Sequence, residues 1–322
     1  MKFDDNNVDM SRVDDRRDGR GSSGPSQRSG ADPTAGLLQL LLASKLGKGG
    51  GGLVLILAIF LMFAFCSQTQ EPTAQVPLDS SFNAPAGSQG VGASLAQKCR
   101  EDAADGVFEN TDCLLVKAFN ETDEVWSGYF ASTGQRFREP QLTFFDGQTR
   151  TGCGPANTSV GPFYCPADER IYFDLGFSRD LERLGVQGQY AMVYIMAHEY
   201  GHHLQNISGI ERQVRKVQAN NRRNANNYSV AMELQADCFA GVWGRLANDE
   251  GNVVITPEEF TQATNAAAAV GDDRIQQGAG MRVNPDTFTH GSAKQRTYWY
   301  TRGYNQGTPQ ACDTFKELGL PL

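Results

Sequence analysis

The feature that most constrains this chain is the pentapeptide at 198–202, which reads His-Glu-Tyr-Gly-His. The residues before it, at 188–196, are largely apolar and contain no proline, which favours a buried α-helix that continues through the motif. His198 and His202 are four positions apart, so both imidazoles lie on one face of such a helix and can bind the same metal ion. A buried pair of imidazoles needs polar partners, which argues against two surface histidines on an ordinary helix. The pattern therefore predicts a metal-binding core helix.

Glu199 follows the first of these histidines and points about a quarter-turn away from it. From there its carboxylate reaches a water at the metal rather than the metal itself, as in the H-E-x-x-H zinc hydrolases. Zinc lowers the pKa of such a water and polarises a carbonyl, so the motif predicts a hydrolytic site in which Glu199 takes the proton.

A catalytic zinc site takes three protein ligands and leaves one position open. The candidates for the third ligand are His203, His290 and the carboxylates that follow the motif. His203 is adjacent to the second histidine and cannot reach the same ion from the same helix face. The apolar surroundings of Glu233 and Asp237 predict a second buried helix, and these two residues are four apart on one of its faces. We therefore predict that Glu233 binds the metal and that Asp237 accepts the free ring N–H of a ligating histidine.

Three longer blocks extend this pattern to a resemblance. H-E-x-x-H at 198–202 with E-x-x-x-D at 233–237 resembles the gluzincin branch of zinc metallopeptidases, which includes thermolysin-like enzymes. H-E-Y-G-H-H-L-Q at 198–205, E-L-Q-A-D-C-F-A-G-V-W at 233–243 and T-H-G-S-A-K-Q-R at 289–296 together resemble a bacterial family of neutral zinc metallopeptidases. Members of that family carry a short tail and a single membrane anchor. The resemblance covers essentially the whole chain, and it implies a zincin-like α+β domain that binds Zn²⁺ and hydrolyses a peptide or protein substrate.

The resemblance also bears on individual residues. It implies that Glu199 acts as general base and then as general acid. In related membrane metallopeptidases the T-H-x-x motif borders the cleft, which implies that His290 contacts the substrate or stabilises the oxyanion. A capping role at the start of the next helix is the alternative for His290, and Arg296 is expected either in the cleft or paired with an acid. The acidic residues at 272–273 are interpreted as members of surface ion pairs. The competing functions are an inactive, zinc-stabilised scaffold or binding protein of the envelope and a metallohydrolase that is not a peptidase.

The N-terminal third has the composition of a tail, an anchor and a linker. Residues 1–48 carry charges of both signs and few apolar side chains, which predicts a disordered tail. No charge occurs at 49–70, a stretch long enough to span a bilayer, and a buried core helix is the weaker alternative. Lysines precede this stretch and acids follow it, so we expect a single-pass inner-membrane protein with a cytoplasmic N-terminus. Residues 71–94 form the predicted linker, and the predicted zinc metallopeptidase domain, at 95–322, lies outside the cytoplasm.

Six of the seven cysteines lie in the predicted domain, and an even number outside the cytoplasm indicates disulfides. Six cysteines allow fifteen pairings, and the sequence alone leaves them open. We favour the three pairs Cys99–Cys113, Cys153–Cys165 and Cys238–Cys312, of which the first two close short loops. A second zinc site is disfavoured because the sequence contains no C-x-x-C.

The remaining patterns predict a mainly helical α+β fold with a small antiparallel sheet. Segments at 141–145, 161–165 and 170–174 have strand composition, while 114–125 suits a helix packed on the core and an irregular stretch follows at 126–129. The outermost strand of such a sheet can bind an extended peptide as an additional strand.

Two further observations concern partners. The net charge of −8 and the lack of a basic domain exclude an ordinary nucleic-acid-binding protein. The polar segment at 211–228 is interpreted as a solvated helix and loop, with a lid over the cleft as the alternative.

Overall fold

The computed structural model describes residues 1–17, 89–102 and 106–322, and of 89–94 it describes the backbone alone. The predicted anchor at 49–70 lies outside these ranges. Within them, no helix combines the length and the apolar character that a membrane crossing requires.

Helices form most of the described structure. In chain order the α-helices are α1 (Gln89–Asp102), α2 (Thr111–Ser132), α3 (Phe177–Arg183), α4 (Tyr190–Ile207), α5 (Ile210–Asn220), α6 (Ala225–Glu250), α7 (Pro257–Ala269), α8 (Asp272–Gly278), α9 (Ala293–Gln306) and α10 (Thr314–Glu317). Helix α1 begins inside the predicted linker, which therefore ends before residue 89. Helix α2 continues through the predicted irregular stretch, because Trp126 and Phe130 extend its buried apolar face.

The strands are short and form three separate sheets. They are β1 (Lys2–Phe3), β2 (Val13–Asp15), β3 (Gln141–Phe145), β4 (Gln148–Thr151), β5 (Gly154–Asn157), β6 (Phe163–Cys165), β7 (Arg170–Asp174) and β8 (Val253–Val254). The main sheet has the order β2-β3-β7-β6, while β1 pairs with β8 and β4 pairs with β5. Strands β2, β3 and β7 are parallel, and only β6 is antiparallel to its neighbour. The prediction of an antiparallel sheet is therefore wrong for the main sheet, which is mixed because β7 pairs with its hairpin partner β6 on one side and with β3 on the other. The two smaller sheets, β1 with β8 and β4 with β5, are antiparallel.

The first 17 residues pack on the domain, so the prediction of a disordered tail is wrong for this segment. Strand β1 pairs with β8, and β2 forms one edge of the main sheet. Phe3 is 1% exposed and meets Phe108 edge to face. Arg12 makes a bidentate ion pair with Asp123 on α2. The charged side chains of this segment form ion pairs with residues far away in the sequence. Such pairs cannot be recognised from the composition of the segment alone.

The core brings three helices together around the motif. Helix α4 packs against α6, and α6 packs against α9. A Cβ at Gly201 would lie 2.9 Å from the Ala236 Cα, so only glycine lets α4 approach α6 this closely. At the other crossing, a Cβ at Gly303 would lie 2.0 Å from the Cys238 carbonyl oxygen. Small residues at both crossings therefore place the polar faces of α4, α6 and α9 within hydrogen-bonding reach of one another.

Three disulfides close the domain, and all three predicted pairs are confirmed. Cys99–Cys113 and Cys153–Cys165 close short loops, whereas Cys238–Cys312 joins α6 to the C-terminal region across 74 residues. Segment 211–228 forms helix α5, a 3-10 turn and the start of α6, with one buried apolar residue in α5, Val214.

Candidate metal centre

Helix α4 carries the motif in the core, as the apolar run before it predicts. Fifteen of its 18 residues are buried, and it ends at Ile207 before Gly209, which adopts a left-handed conformation with φ 77°. His198 is 4% exposed, while His202, one turn later, is partly exposed. The helix thus holds one imidazole in the interior and the other at the edge of the cleft.

The structure brings Glu233 of α6 to the two imidazoles of α4. Its Oε2 lies 3.2 Å from His198 Nε2, and its Oε1 lies 3.5 Å from His202 Nε2. One ligand atom from each of the three residues falls within 4.8 Å of the others. Within the described ranges this is the group of histidines and acids whose donor atoms converge in the manner of a metal site.

These donors fit zinc. Two imidazole nitrogens and one carboxylate oxygen form the donor set of many catalytic zinc sites, in which metal–ligand distances are about 2.0–2.2 Å. Ligand atoms on a tetrahedron of that size lie roughly 3.3–3.5 Å apart. The two separations from Glu233, 3.2 and 3.5 Å, are already close to that spacing. The opposite charges of the carboxylate and an imidazolium also attract, and a cation bound between the three residues would fit the way both imidazoles direct Nε2 to the same carboxylate.

A buried polar network supports the first imidazole from behind. Asp237 is fully buried on α6, and its Oδ1 lies 2.9 Å from His198 Nδ1. The Tyr194 hydroxyl donates to the same oxygen. Arg296 of α9 donates from Nε to Oδ2 and from Nη2 to Oδ1, each over 2.8 Å. Asp237 therefore fixes the ring orientation of His198 so that Nε2 faces the cleft.

The charges in this network determine the protonation of the metal-free site. Burial acts to raise the pKa of Asp237, but Arg296 and His198 outweigh it and hold that pKa below its usual range. Burial also acts to lower the pKa of His198, and the two carboxylates reverse this and raise it to about 9. Burial raises the pKa of Glu233 as well, yet the neighbouring histidines, first of all His202, lower it overall. Three acidic or basic groups thus stay charged in a buried site, and a bound cation would replace the proton on His198.

Glu199 lies beside this cluster and is oriented by the main sheet. Its Oε2 accepts a 2.8 Å hydrogen bond from the backbone N–H of Tyr164 on β6. Burial, followed by repulsion from Glu233, raises the pKa of Glu199 to about 7, against the effect of His198. A carboxylate with a pKa near neutrality can both take and return a proton.

His290 lies near Glu233 and is held by Asp272, a partner that the sequence analysis did not assign to it. Its Nδ1 lies 3.2 Å from Asp272 Oδ1, and its charge acts on Glu233. Burial acts to lower the pKa of His290, but the hydrogen bond to Asp272 and the charge of Glu233 raise it overall.

The interpretation of Asp272 as a surface residue is wrong. The side chain is 0% exposed, and its Oδ2 accepts hydrogen bonds from the backbone N–H groups of Thr289, His290 and Gly291. Its neighbour Asp273 accepts from the Ala293 N–H. Both acids therefore shape the loop that carries His290. The signal in the sequence is the glycine directly before these acids, Gly271. An added Cβ at this position would lie 2.3 Å from the Ala293 nitrogen, so the glycine marks a close approach of two backbones.

Comparisons with known proteins agree with this geometry. Residues 4–315 match the family described as "Putative neutral zinc metallopeptidase". The chain is 47% identical over 196 residues to an uncharacterized protein of Escherichia coli K12, YpfJ, which covers 60% of this chain and 68% of that protein. It is 41% identical over 258 residues to the uncharacterized proteins Mb2605 of Mycobacterium bovis and Rv2575 of Mycobacterium tuberculosis, which covers 77% of this chain and 82% of each relative. No solved structure matches the chain. The match over nearly the full length shows that this chain belongs to the neutral zinc metallopeptidase family.

Proposed function

We propose that this protein is a zinc-dependent endopeptidase. The observation that carries the proposal is the convergence of His198, His202 and Glu233. Beside them lies Glu199, a buried carboxylate that is not a predicted metal ligand. A purely structural zinc site has four protein ligands, whereas three ligands leave the open position that hydrolysis requires. A scaffold would have no use for a buried acid with a pKa near neutrality at that position.

Each residue of the proposed site has its own role in the reaction. His198, His202 and Glu233 would hold the zinc ion, which when bound activates a water and polarises the scissile carbonyl. Glu199 takes a proton from the attacking water and delivers it to the leaving nitrogen. His290, whose raised pKa favours the positive imidazolium, stabilises the negative charge that develops on the carbonyl oxygen. Asp237 and Arg296 stay charged throughout and keep His198 in one orientation.

Strand β6 is the proposed binding edge for an extended peptide. It forms one end of the main sheet, and the Tyr164 N–H on its outer side reaches Glu199. An edge strand offers backbone donors and acceptors that do not depend on substrate sequence, and its side chains add selectivity. A peptide or protein paired with β6 would therefore lie directly beside the general base.

We propose an extracytoplasmic location at the inner membrane for the domain. The three disulfides suit an oxidising compartment, and the predicted anchor at 49–70 would hold the protein at the membrane. The contacts of residues 1–17 with the domain change one part of the expected topology. Two segments that share strand pairs lie on the same side of a membrane, which a single crossing at 49–70 does not allow. We therefore propose that the uncharged stretch at 49–70 holds the protein at the membrane without crossing it, and that the N-terminus lies with the domain rather than in the cytoplasm.

The test of the catalytic assignment is Glu199→Gln in the purified full-length protein. We expect bound zinc to stay at the wild-type ratio, while peptide hydrolysis falls by at least about a hundredfold because the general base is lost. Metal analysis and digestion of a peptide library measure the two quantities, and a chelator should abolish wild-type activity. Gln262→Glu, a charge change outside the site, is the control. Full activity in Glu199→Gln would contradict the assigned role.

The test of the location is a disulfide between β1 and β8. Lys2 and Val254 are register partners, and antiparallel partners lie about 4.5–5.5 Å apart between Cα atoms, within disulfide range. In a Cys66→Ser background, the pair Lys2→Cys and Val254→Cys should oxidise in intact cells, whereas Lys2→Cys with Met281→Cys should not. Oxidation of the first pair only after purification would show that the two segments occupy separate compartments in the cell.

A further inference from the structure

Helix α4 has a second polar face beside the one that carries the metal ligands. Glu199, His203 and Asn206 are spaced at i, i+4 and i+7, so they form one stripe along the helix. All three bind a single residue, Tyr164 of β6. Glu199 accepts from its backbone N–H over 2.8 Å, while His203 Nδ1 and Asn206 Nδ2 lie 3.0 and 2.8 Å from its hydroxyl oxygen.

The hydrogen bonds of this stripe have one consistent direction. His203 Nε2 lies 2.6 Å from the carbonyl oxygen of Arg138, so Nε2 carries the proton and Nδ1 is the acceptor. The Tyr164 hydroxyl therefore donates to His203, and its oxygen accepts from the Asn206 amide. His203 is fully buried, and its two ring nitrogens face one acceptor, the Arg138 carbonyl, and one donor, the Tyr164 hydroxyl. The hydroxyl of Tyr164 is thus held from two sides.

The backbone of Tyr164 occupies the place where the sheet meets the cleft. Strand β6 is an edge strand, and its other side pairs with β7 through the register Tyr164↔Ile171. The N–H that reaches Glu199 is thus on the free side of the strand. Strand β6 has only three residues. The disulfide Cys153–Cys165 joins it to the turn between β4 and β5, and the hydroxyl of Tyr164 joins it to α4.

We propose that Tyr164 is a positioning residue for the general base, and that His203 and Asn206 hold it in place. The backbone N–H of Tyr164 fixes the direction of the Glu199 carboxylate, and the side-chain hydroxyl fixes the N–H. The proposal rests on the proposed function, because a general base has to be aimed at a reacting water. It also gives a role to His203, the third histidine of the motif, which does not bind the metal.

The kinetic test is Tyr164→Phe in the purified, zinc-loaded full-length protein. The variant keeps the ring and the backbone N–H but loses the hydroxyl that ties β6 to α4. Loss of one hydrogen-bonding group from a buried network corresponds to about a tenfold lower rate, so we expect kcat to fall about tenfold. Bound zinc should stay within about twofold of the wild type, since the ligands do not change. KM should change less than kcat, since the backbone groups of β6 that would bind the peptide are kept. Asn206→Ala should act in the same direction with a smaller loss.

Tyr228→Phe is the matched control. The Tyr228 hydroxyl donates to the Pro321 carbonyl oxygen in a separate cluster, so its removal costs one hydrogen bond outside the proposed network. We expect kcat, KM and zinc content of this variant to equal those of the wild type.

A second measurement follows the Tyr164 amide without using activity. The chain has ten tyrosines, so ¹⁵N-tyrosine labelling gives ten amide signals, and the one missing in Tyr164→Phe identifies Tyr164. This amide should exchange slowly in the wild type and at least about tenfold faster in Glu199→Ala, because that variant lacks the acceptor of the N–H. Exchange should also be faster in Asn206→Ala, because that variant lacks one of the bonds that hold the Tyr164 side chain against α4.

The two measurements separate the proposal from the proposed function. If the wild type hydrolyses no peptide while the amide shows the expected protection, the endopeptidase assignment fails and the orientation of Glu199 by Tyr164 stands. Wild-type kcat in Tyr164→Phe, or unchanged exchange in Glu199→Ala, would overturn the positioning role. A variant that loses zinc in proportion to its activity would overturn it as well, because the hydroxyl would then support the metal site rather than the base.

Discussion

The metal centre and the N-terminal segment 1–17 are both held by ion pairs, but the two regions differ in how water reaches the charges. At the metal centre Arg296 and Asp237 are 4% and 0% exposed in their side chains. In the N-terminal segment the pairs Arg12–Asp123 and Lys117–Asp5 each have one partner that water contacts, since Arg12 is 20% exposed and Asp5 is 48% exposed. A charge that loses its partner is therefore stranded in the first region, whereas in these pairs the more exposed partner stays hydrated.

This difference shows what stabilises each region. A buried charge pair contributes little compared with an apolar replacement, but it is costly to break. At the metal centre the buried ion pairs therefore determine the geometry of the site, and removing any one partner destabilises the others. The N-terminal segment is held mainly by apolar burial of Phe3 and by strand pairing, and its ion pairs adjust the register.

The two regions also meet. The Tyr200 hydroxyl, within the motif, donates to Asp123 Oδ1 over 2.6 Å, and Arg12 binds both oxygens of the same carboxylate. Asp123 on α2 therefore links the first residues of the chain to the metal-binding helix.

The largest effect should follow from Arg296→Met, which tests the buried side of the comparison. The substitution removes the guanidinium partner of Asp237 in the interior, leaving it His198 and the Tyr194 hydroxyl, and should lower the free energy of unfolding by about 3–5 kcal/mol. Urea unfolding of the zinc-free protein measures the loss. Arg245→Met is the control, since Arg245 pairs with Asp249 at an exposed helix surface. Equal stability of the two variants would show that water reaches Asp237, and the contrast between the regions would disappear.

Phe3→Ala tests whether the N-terminal segment belongs to the domain. Removal of a buried phenylalanine costs about 3–5 kcal/mol, and we expect about 3 kcal/mol because the end of the chain can detach instead of leaving a cavity. Urea unfolding followed by tryptophan fluorescence measures this loss. Lys2→Ala, an exposed neighbour, should have no effect. A Phe3→Ala protein as stable as the wild type would restore the disordered tail that the composition predicts.

The sequence predicted the metal centre because its information is local. Spacings of four residues place His198 with His202, and Glu233 with Asp237, without knowledge of the rest of the fold. The helix that carries the first pair followed from the apolar run before the motif. The compartment indicated disulfides, and the three pairs were favoured among fifteen pairings that the sequence leaves open.

The N-terminal segment and the acid behind His290 were not predictable in the same way. Arg12 and Asp123 are 111 residues apart, and Asp272 lies 18 residues before His290, so no periodic pattern relates these residues. Composition described 1–48 as polar, which is correct, but polarity alone cannot distinguish solvated charges from charges with distant partners. The parallel pairing of β2, β3 and β7 is likewise a property of chain topology, not of strand composition.

The smallest effect should follow from Asp112→Asn, which tests the half-exposed pairs through their pH dependence. Burial acts to raise the pKa of Asp112, but hydrogen bonds from Lys98 and Arg17 outweigh it and lower that pKa below its ordinary value of 3.8. The ionised carboxylate therefore stabilises the fold above pH 3.8, and this contribution is lost as the pH falls through the native pKa. We expect Asp112→Asn to cost about 1–2 kcal/mol at pH 7, since Arg17 and Lys98 are then solvated by water rather than stranded.

The comparison needs the zinc-free protein at both pH values, because acid also removes the metal. Urea unfolding at pH 7 and pH 3 should show a difference between wild type and Asp112→Asn that shrinks as the pH falls. Asp249→Asn, at an exposed helix pair, should show little difference at either pH. A cost of Asp112→Asn as large as that of Arg296→Met would mean that Arg17 is stranded when its partner is lost. The N-terminal segment would then seal its charges from water as completely as the metal centre does, and ion pairing rather than Phe3 would hold it to the domain.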